Sequence, residues 1–188
     1  MHIENSKRLR FELVTQEDAL LLFDLNQDPE VMRYISGGKP STMAEIQDYF
    51  MPRIHGFTNN DTGWGLWKVF TLDGQLAPND CFIGWILVRP MDFYSDSPKT
   101  NDLEIGWRFM QSAWGKGYAT EAAKAVCQAL VEQASVIGQP ISHFSAIADP
   151  ANSGSINIMT KLGMEYIKND RVETPDGEVE VVLYRMPA

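Results

Sequence analysis

The residues best suited to chemistry in this chain lie between positions 103 and 123: Leu103-Glu104-Ile105-Gly106-Trp107-Arg108-Phe109-Met110-Gln111-Ser112-Ala113-Trp114-Gly115-Lys116-Gly117-Tyr118-Ala119-Thr120-Glu121-Ala122-Ala123. An alternating strand pattern runs into a glycine turn, and the turn opens into a long amphipathic helix. Gly115 and Gly117 lack a Cβ, so the main chain there can bend sharply and come close to a ligand. The first helical turn adds unpaired N–H groups and the positive end of the helix dipole. Donors and a field of this kind hold phosphate groups. A plain strand-to-helix turn also needs glycine for its geometry, so the turn by itself leaves both readings open. Upstream, alternation sets Asp102, Glu104, Gly106 and Arg108 on one strand face and Leu103, Ile105, Trp107 and Phe109 on the other.

The elements that position this passage can be read outward from it. The helix after the turn carries Ala119, Ala122, Ala123, Val126, Leu130 and Ala134 on one face and stops at Gly138-Gln139-Pro140. Ile141 to Ala148 reads as a strand, Ser153 to Leu162 as a shorter helix closed by Gly163, and Val172 to Tyr184 as a hairpin region folding at Pro175-Asp176-Gly177. On the N-terminal side, Leu9 to Val14 is a strand. Thr15 to Asp18 and Thr42 to Glu45 are capping signals for two helices. The loop between those helices contains Gly37-Gly38 and borders a candidate substrate wall or is a plain connector. Gly65 to Leu72 and Cys81 to Val88 read as strands joined around Asp73-Gly74 and Pro78-Asn79, and Arg89 to Thr100 as a loop. One α+β domain over residues 1–188 is expected, with a mixed, mostly antiparallel sheet and one parallel crossing at 103–148.

Bulk composition narrows the function classes. The chain is 44% hydrophobic and 11% aromatic, which is globular composition. No apolar run suits a membrane span, and the first eight residues lack the apolar stretch of a signal peptide, so a cytoplasmic location is expected. The 2 cysteines, Cys81 and Cys127, are far apart, which argues against a disulfide framework or a zinc site. A net charge of −9 argues against broad nucleic-acid binding. It also means that an anionic ligand must be held by local donors. Acidity suits a cationic acceptor, though it equally keeps a protein dispersed.

Other glycine motifs fit less well. Gly115-x-Gly117-x-x-Thr120 resembles a dinucleotide-binding turn, but the next acidic residue after a strand is Asp149, well past the expected spacing of roughly 20 residues. A Walker-type loop would need glycine where Met110 stands.

Two blocks resemble the GNAT acetyltransferase superfamily, most closely its ribosomal-protein N-acetyltransferase branch. Trp114-Gly115-Lys116-Gly117-Tyr118-Ala119-Thr120-Glu121-Ala122 looks like the acetyl-CoA loop. Asn152-Ser153-Gly154-Ser155 through Lys161-Leu162-Gly163-Met164 is similar to the branch's second motif helix. Ser112 and Met164 depart from the usual residues there. The resemblance implies a GNAT fold and acetyl-CoA as co-substrate, with no metal. It implies that Gly115, Lys116, Gly117, Tyr118, Ala119 and Thr120 cradle the phosphates. Asn152 and the main chain of Phe109 and Met110 would meet the pantetheine arm. Glu104 matches a strand glutamate that accepts the amine proton through water, and Ser155 would face the thioester sulfur as an acid. By sequence alone, Glu104 is equally a surface carboxylate paired across the strand, with Arg108 as one partner, and Asn152 and Ser155 are equally helix caps. Glu121 reads better as a dipole complement pointing away from the phosphates.

The reaction implied is attack of an amine on a thioester in a direct transfer, with no acyl-cysteine. The amine is expected to be a protein N-terminus, ribosomal or other. Two alternatives stand beside it: an enzyme for a small amine (antibiotic, polyamine or amino acid), and a non-catalytic acyl-CoA-binding module. Oligomeric state is not readable from the sequence.

Overall fold

The computed structural model describes residues 1–72, 80–174 and 177–188, and of residues 173 and 174 the main chain alone. Strand β1 (Leu9–Leu13) leads into the first capping signal. The Asp18 carboxylate reaches back to the Thr15 N–H at 2.7 Å and starts helix α1 (Ala19–Leu25). The same carboxylate grips the Lys68 ammonium at 2.9 Å, so the cap also ties the helix to the sheet. A short turn of helix, α2 (Pro29–Met32), follows, capped by Asp28.

The second capping signal holds as well: Thr42 and Glu45 exchange hydrogen bonds at 2.7 and 3.1 Å. It opens α3 (Met43–Glu45), which passes through a π-helical stretch at Ile46–Phe50 into α4 (Met51–Phe57). Strands β2 (Gly65–Thr71), β3 (Phe82–Met91) and β4 (Lys99–Phe109) come next, then α5 (Tyr118–Ile137), β5 (His143–Ala148) and α6 (Ser153–Leu162). Strands β6 (Glu165–Thr174) and β7 (Gly177–Pro187) close the chain.

The sheet order is β1-β2-β3-β4-β5-β7-β6. Every neighbouring pair is antiparallel except β4 with β5. This is the mixed α+β sheet with one parallel crossing that the alternation of elements predicts. Alternating strand residues split the apolar side chains between two faces. On one face Leu103, Ile105, Phe109 and Phe144 pack under α5 and α6 through Ala122, Val126, Leu130 and Met159. On the other, Trp85 and Leu87 pack against α1, the π-helical stretch and α4 through Leu22, Ile46, Ile54 and Phe57. Burying each such large side chain contributes about 1.5–3 kcal/mol.

Two boundaries differ from the sequence reading. The loop expected from Arg89 shrinks to residues 92–98, because β3 runs on through Pro90 to Met91 and β4 begins at Lys99. A proline breaks a central strand, but here β2 stops pairing at Val88, and the β3–β4 register shifts between Pro90 and Met91. Pro90 therefore sits where no ladder on the β2 side needs its missing N–H. The closing hairpin is also longer than read, since β6 starts at Glu165. The joints expected at Asp73-Gly74, at Pro78-Asn79 and at Pro175-Asp176 lie outside the described residues. No helix among the described residues is long and apolar enough to cross a membrane.

Candidate active site

The parallel pairing of β4 with β5 is short. It covers Asp102 with His143, Leu103 with Phe144 and Glu104 with Ser145, and then ends. Strand β4 continues along β3 to Phe109, while β5 continues along β7 to Ala148. Beyond Glu104 the two strands diverge, and a wedge opens between them. The Met110 N–H donates to the Ile83 carbonyl at 2.9 Å, on the β3 side. Main-chain groups alternate along a strand, so those of Ile105, Trp107 and Phe109 face the wedge. Both main-chain groups of Met110 are used within the protein, its carbonyl by the Ala113 N–H.

The glycine turn follows at once. After a 3₁₀ turn at Gln111–Ala113, Gly115 and Gly117 take φ of +73° and +79°, left-handed backbone that glycine adopts without strain. The Trp114 indole braces this turn by donating to the Phe109 carbonyl at 2.8 Å. Helix α5 then starts at Tyr118, with the N–H groups of its first turn directed at the glycine turn. The Tyr118 side chain is fully buried, so only its main chain can serve a phosphate. Lys116 is exposed and folds its ammonium back onto the Ser112 carbonyl at 3.0 Å. Ala119 and Thr120 lie half-buried in the first turn.

Arg8 was not singled out by sequence, yet it organises the loop. It donates to the Lys116 carbonyl at 3.1 Å, stacks 4.4 Å over the Tyr118 ring and pairs with Glu121 at 2.7 Å. Burial pushes the Glu121 carboxyl up, but hydrogen bonds from Ser6 and Arg8 outweigh that and hold it below the ordinary carboxylate range. Glu121 thus turns toward the N-terminal segment, away from the glycine turn. Basic and acidic residues more than a hundred positions apart give no local signal, which is why the sequence hid this clamp.

At the start of α6, the Asn152 side-chain oxygen accepts from the Ser155 N–H at 3.0 Å. That is the cap, and it leaves the Asn152 amide nitrogen as a donor. The Trp107 indole N–H donates to the Ser155 hydroxyl at 3.1 Å, so α6 is fastened to the wedge wall of β4. A hydroxyl that accepts this bond keeps its own hydrogen for a third atom.

Glu104 faces the other side of β4. Its partner is Arg89, directly opposite on β3, with Nε to Oε2 at 2.7 Å. The pairing weighed with Arg108 does not form. Glu104 is 8% exposed. Asp102, on the same face, is taken up by Arg185 and the Ser145 hydroxyl, each at 2.7 Å. Cys127 is buried in the core, which pushes its thiol up to about 12. It keeps its proton at neutral pH and supplies no thiolate nucleophile. A surface hollow of about 380 Å³ lined by Arg10, Phe11, Leu13 and Trp67 lies against β1, away from the wedge.

Family comparison bears on this geometry. The acetyltransferase (GNAT) domain pattern matches residues 8–165, which span β1 through the end of α6 and so contain both the turn and the wedge. The chain belongs to the GNAT acetyltransferase family. It is therefore an acetyl-CoA-dependent N-acetyltransferase by family. The FsC-acetyl coenzyme A-N(2)-transacetylase of Aspergillus fumigatus is 28% identical, across 94% of this chain and 74% of that protein. Two solved structures share the fold. A ribosomal L7/L12 α-N-protein acetyltransferase in complex with coenzyme A superposes with a TM-score of 0.69 at 12% identity, covering 100% of this chain and 98% of the other. The aminoglycoside acetyltransferase AAC(6')-Ib, also with coenzyme A, gives 0.68 at 18% identity, covering 95% and 94%.

Proposed function

We propose that this GNAT enzyme acetylates an α-amine, with the N-terminus of a protein as acceptor. The pantetheine arm of acetyl-CoA lies in the β4–β5 wedge along Trp107 and Phe109, and its phosphates sit on the Gly115–Thr120 turn. The amine nitrogen attacks the thioester carbonyl, forming the C–N bond as the C–S bond breaks. A proton leaves the amine for Glu104 through water, and the Ser155 hydroxyl donates to the departing thiolate.

The observation that carries the α-amine is the state of Glu104. With Asp102 engaged by Arg185 and Ser145, Glu104 is the carboxylate left on that face of β4, and Arg89 already holds one of its oxygens. An α-ammonium near 7.7–8.0 titrates about 2.5 pK units below a lysine ammonium near 10.4, so removing its proton costs roughly 3–4 kcal/mol less. A lone carboxylate suits the first. The names of two relatives agree in kind, one transferring to an N(2) nitrogen and one to an α-N of a protein.

Steady-state rates on matched peptides test this reading. A peptide with a free N-terminus should be acetylated at least tenfold faster than the same peptide N-blocked and carrying an internal lysine, the ratio following the difference in uncharged amine. Equal rates, or turnover of aminoglycosides or polyamines alone, would contradict it.

A further inference from the structure

The guanidinium of Arg108 is the charged group that the proposed chemistry leaves unused. It stands next to Trp107 in sequence and on the strand face of Glu104, turned toward α1 and α2 rather than toward α5. Nη1 donates to the Asn26 side-chain oxygen at 2.5 Å and touches the Met32 sulfur at 3.7 Å. The plane lies 5.0 Å from the centre of the Trp85 ring. Asn26, itself 3% exposed, is fixed by donating to the Ser41 hydroxyl at 3.1 Å. Every one of these partners is neutral.

That sets Arg108 apart from Arg8, Arg10, Arg89 and Arg185, which each meet a carboxylate within 2.8 Å. Arg53, part-buried and also without an ion pair among the described residues, instead lies over the rings of Tyr49 and Tyr94 at 5.0 and 3.9 Å, and none of its side-chain atoms is buried without a partner as Arg108 Nε is. Arg108 forms no ion pair among the described residues, and its Nε is buried without a hydrogen-bond partner. The chain has 25 acidic residues against 16 basic ones, so carboxylates are plentiful, yet none is placed here. Burial lowers this guanidinium to about 10, which leaves it charged at neutral pH. A buried charge without a counter-ion destabilises the fold unless something else compensates it.

We infer that Arg108 is the specificity residue of the acceptor side and that it binds a carboxylate carried by the acceptor near its reacting amine. The Nε and Nη2 edge of a guanidinium is the fork that grips a carboxylate with two parallel bonds. In Arg108 that edge has no protein partner among the described residues, while Asn26 and Trp85 fix the plane from the remaining sides. Nε is closed to water, so binding includes a small side-chain adjustment at that edge. The anion bound here belongs to the acceptor, because coenzyme A is anionic through its phosphates and the turn proposed for them is at the N-terminal end of α5, across the sheet. Two sources share this chemistry: an acidic side chain close to a peptide N-terminus, and the α-carboxylate of a free amino acid. The inference rests on the α-amine reading above.

The test uses two probe pairs with purified full-length protein. One pair is a pentapeptide amide with Glu or Gln at its second position. The other is L-alanine or L-alaninamide. In at least one pair the acid should exceed its neutral partner by about tenfold or more in kcat/KM, mainly through KM, as a charge-assisted contact provides. The pair that shows the preference identifies the source. Arg108→Met should abolish the preference while the Kd for acetyl-CoA stays that of the wild type. Arg108→Lys keeps the charge without the fork and should retain only part of the preference, which carries the test if the Met variant fails to fold. Equal rates for acid and neutral members would overturn this inference and leave the α-amine reading standing. An undiminished preference in either variant would also overturn it. Acetylation of none of the four probes would overturn the α-amine reading and this inference with it.

Discussion

The indole N–H of Trp107 and the hydroxyl of Ser155 are joined at 3.1 Å, across the mouth of the wedge between β4 and β5. This contact fixes the first turn of α6 against the strand that also carries Glu104. It assigns the Ser155 oxygen as acceptor and frees the hydroxyl hydrogen for a leaving sulfur. Ser155→Ala should therefore lower kcat by about 100-fold, the lower range for a positioned acid, while the acetyl-CoA Kd stays near wild type. Trp107→Phe keeps the ring and loses the donor, and should show a smaller fall. Unchanged turnover in Ser155→Ala would leave the serine as a helix cap.

Gly117 gives a second prediction. A Cβ built there would meet only the Arg8 guanidinium, at an ordinary 3.6 Å, so crowding within the protein is slight. The cost comes from φ of +79°, where a β-branched residue is strained by about 1–3 kcal/mol. Gly117→Val should stay folded with a lower Tm and lose acetyl-CoA affinity by about tenfold or more, through the shifted amide donors of the turn. Calorimetry showing wild-type affinity would remove the turn from the cofactor site.

The Arg8–Glu121 clamp makes stability depend on pH in a defined direction. Because Glu121 titrates below its ordinary value in the folded chain, the pair stabilises above the usual carboxylate value of about 4.3. That contribution fades as pH falls from there toward the lowered folded value. Glu121→Gln should therefore melt below wild type at pH 7, and the gap should close in acid, below about pH 4. A gap that persists unchanged at pH 3 would mean that the glutamate acts by packing alone.

The parts of this molecule legible in the sequence are those with local rules. Two capping signals, the left-handed glycines around Lys116, and the caps at Gly138 and Gly163 each involve neighbours within a few positions, and all appear in the fold. The alternation over 102–109 correctly sorted Glu104 from Trp107. What escaped depends on distant pairs. The prolines and small polar residues of 89–100 read as a loop, yet the alternation Trp85, Leu87, Arg89 continues the strand face and sets Arg89 opposite Glu104. The first half of strand β6 is not legible because, as an edge strand carrying Lys168, Asp170 and Arg171, it shows no buried face to give a period. The Trp107–Ser155 bond and the Arg8 clamp had no signal at all in a single sequence.

Glu104 supplies a prediction about proton transfer. Glu104→Gln keeps the shape of the side chain and leaves Arg89 without its counter-ion. The loss of kcat/KM should be largest below the pKa of the acceptor amine, where proton removal limits the rate, and should shrink above it. A loss uniform across pH would assign the pair a structural role, and Arg89→Gln would then reproduce it.

Direct transfer of acetyl to an α-nitrogen leaves a product whose acetylated atom can be read directly. One peptide with both a free N-terminus and an internal lysine, incubated with enzyme and acetyl-CoA, tests it by tandem mass spectrometry alongside thiol release. The prediction is acetyl on the α-nitrogen, with one thiol released per acetyl transferred. Acetyl on the lysine ε-nitrogen, or thiol released without an acetylated peptide, would contradict it.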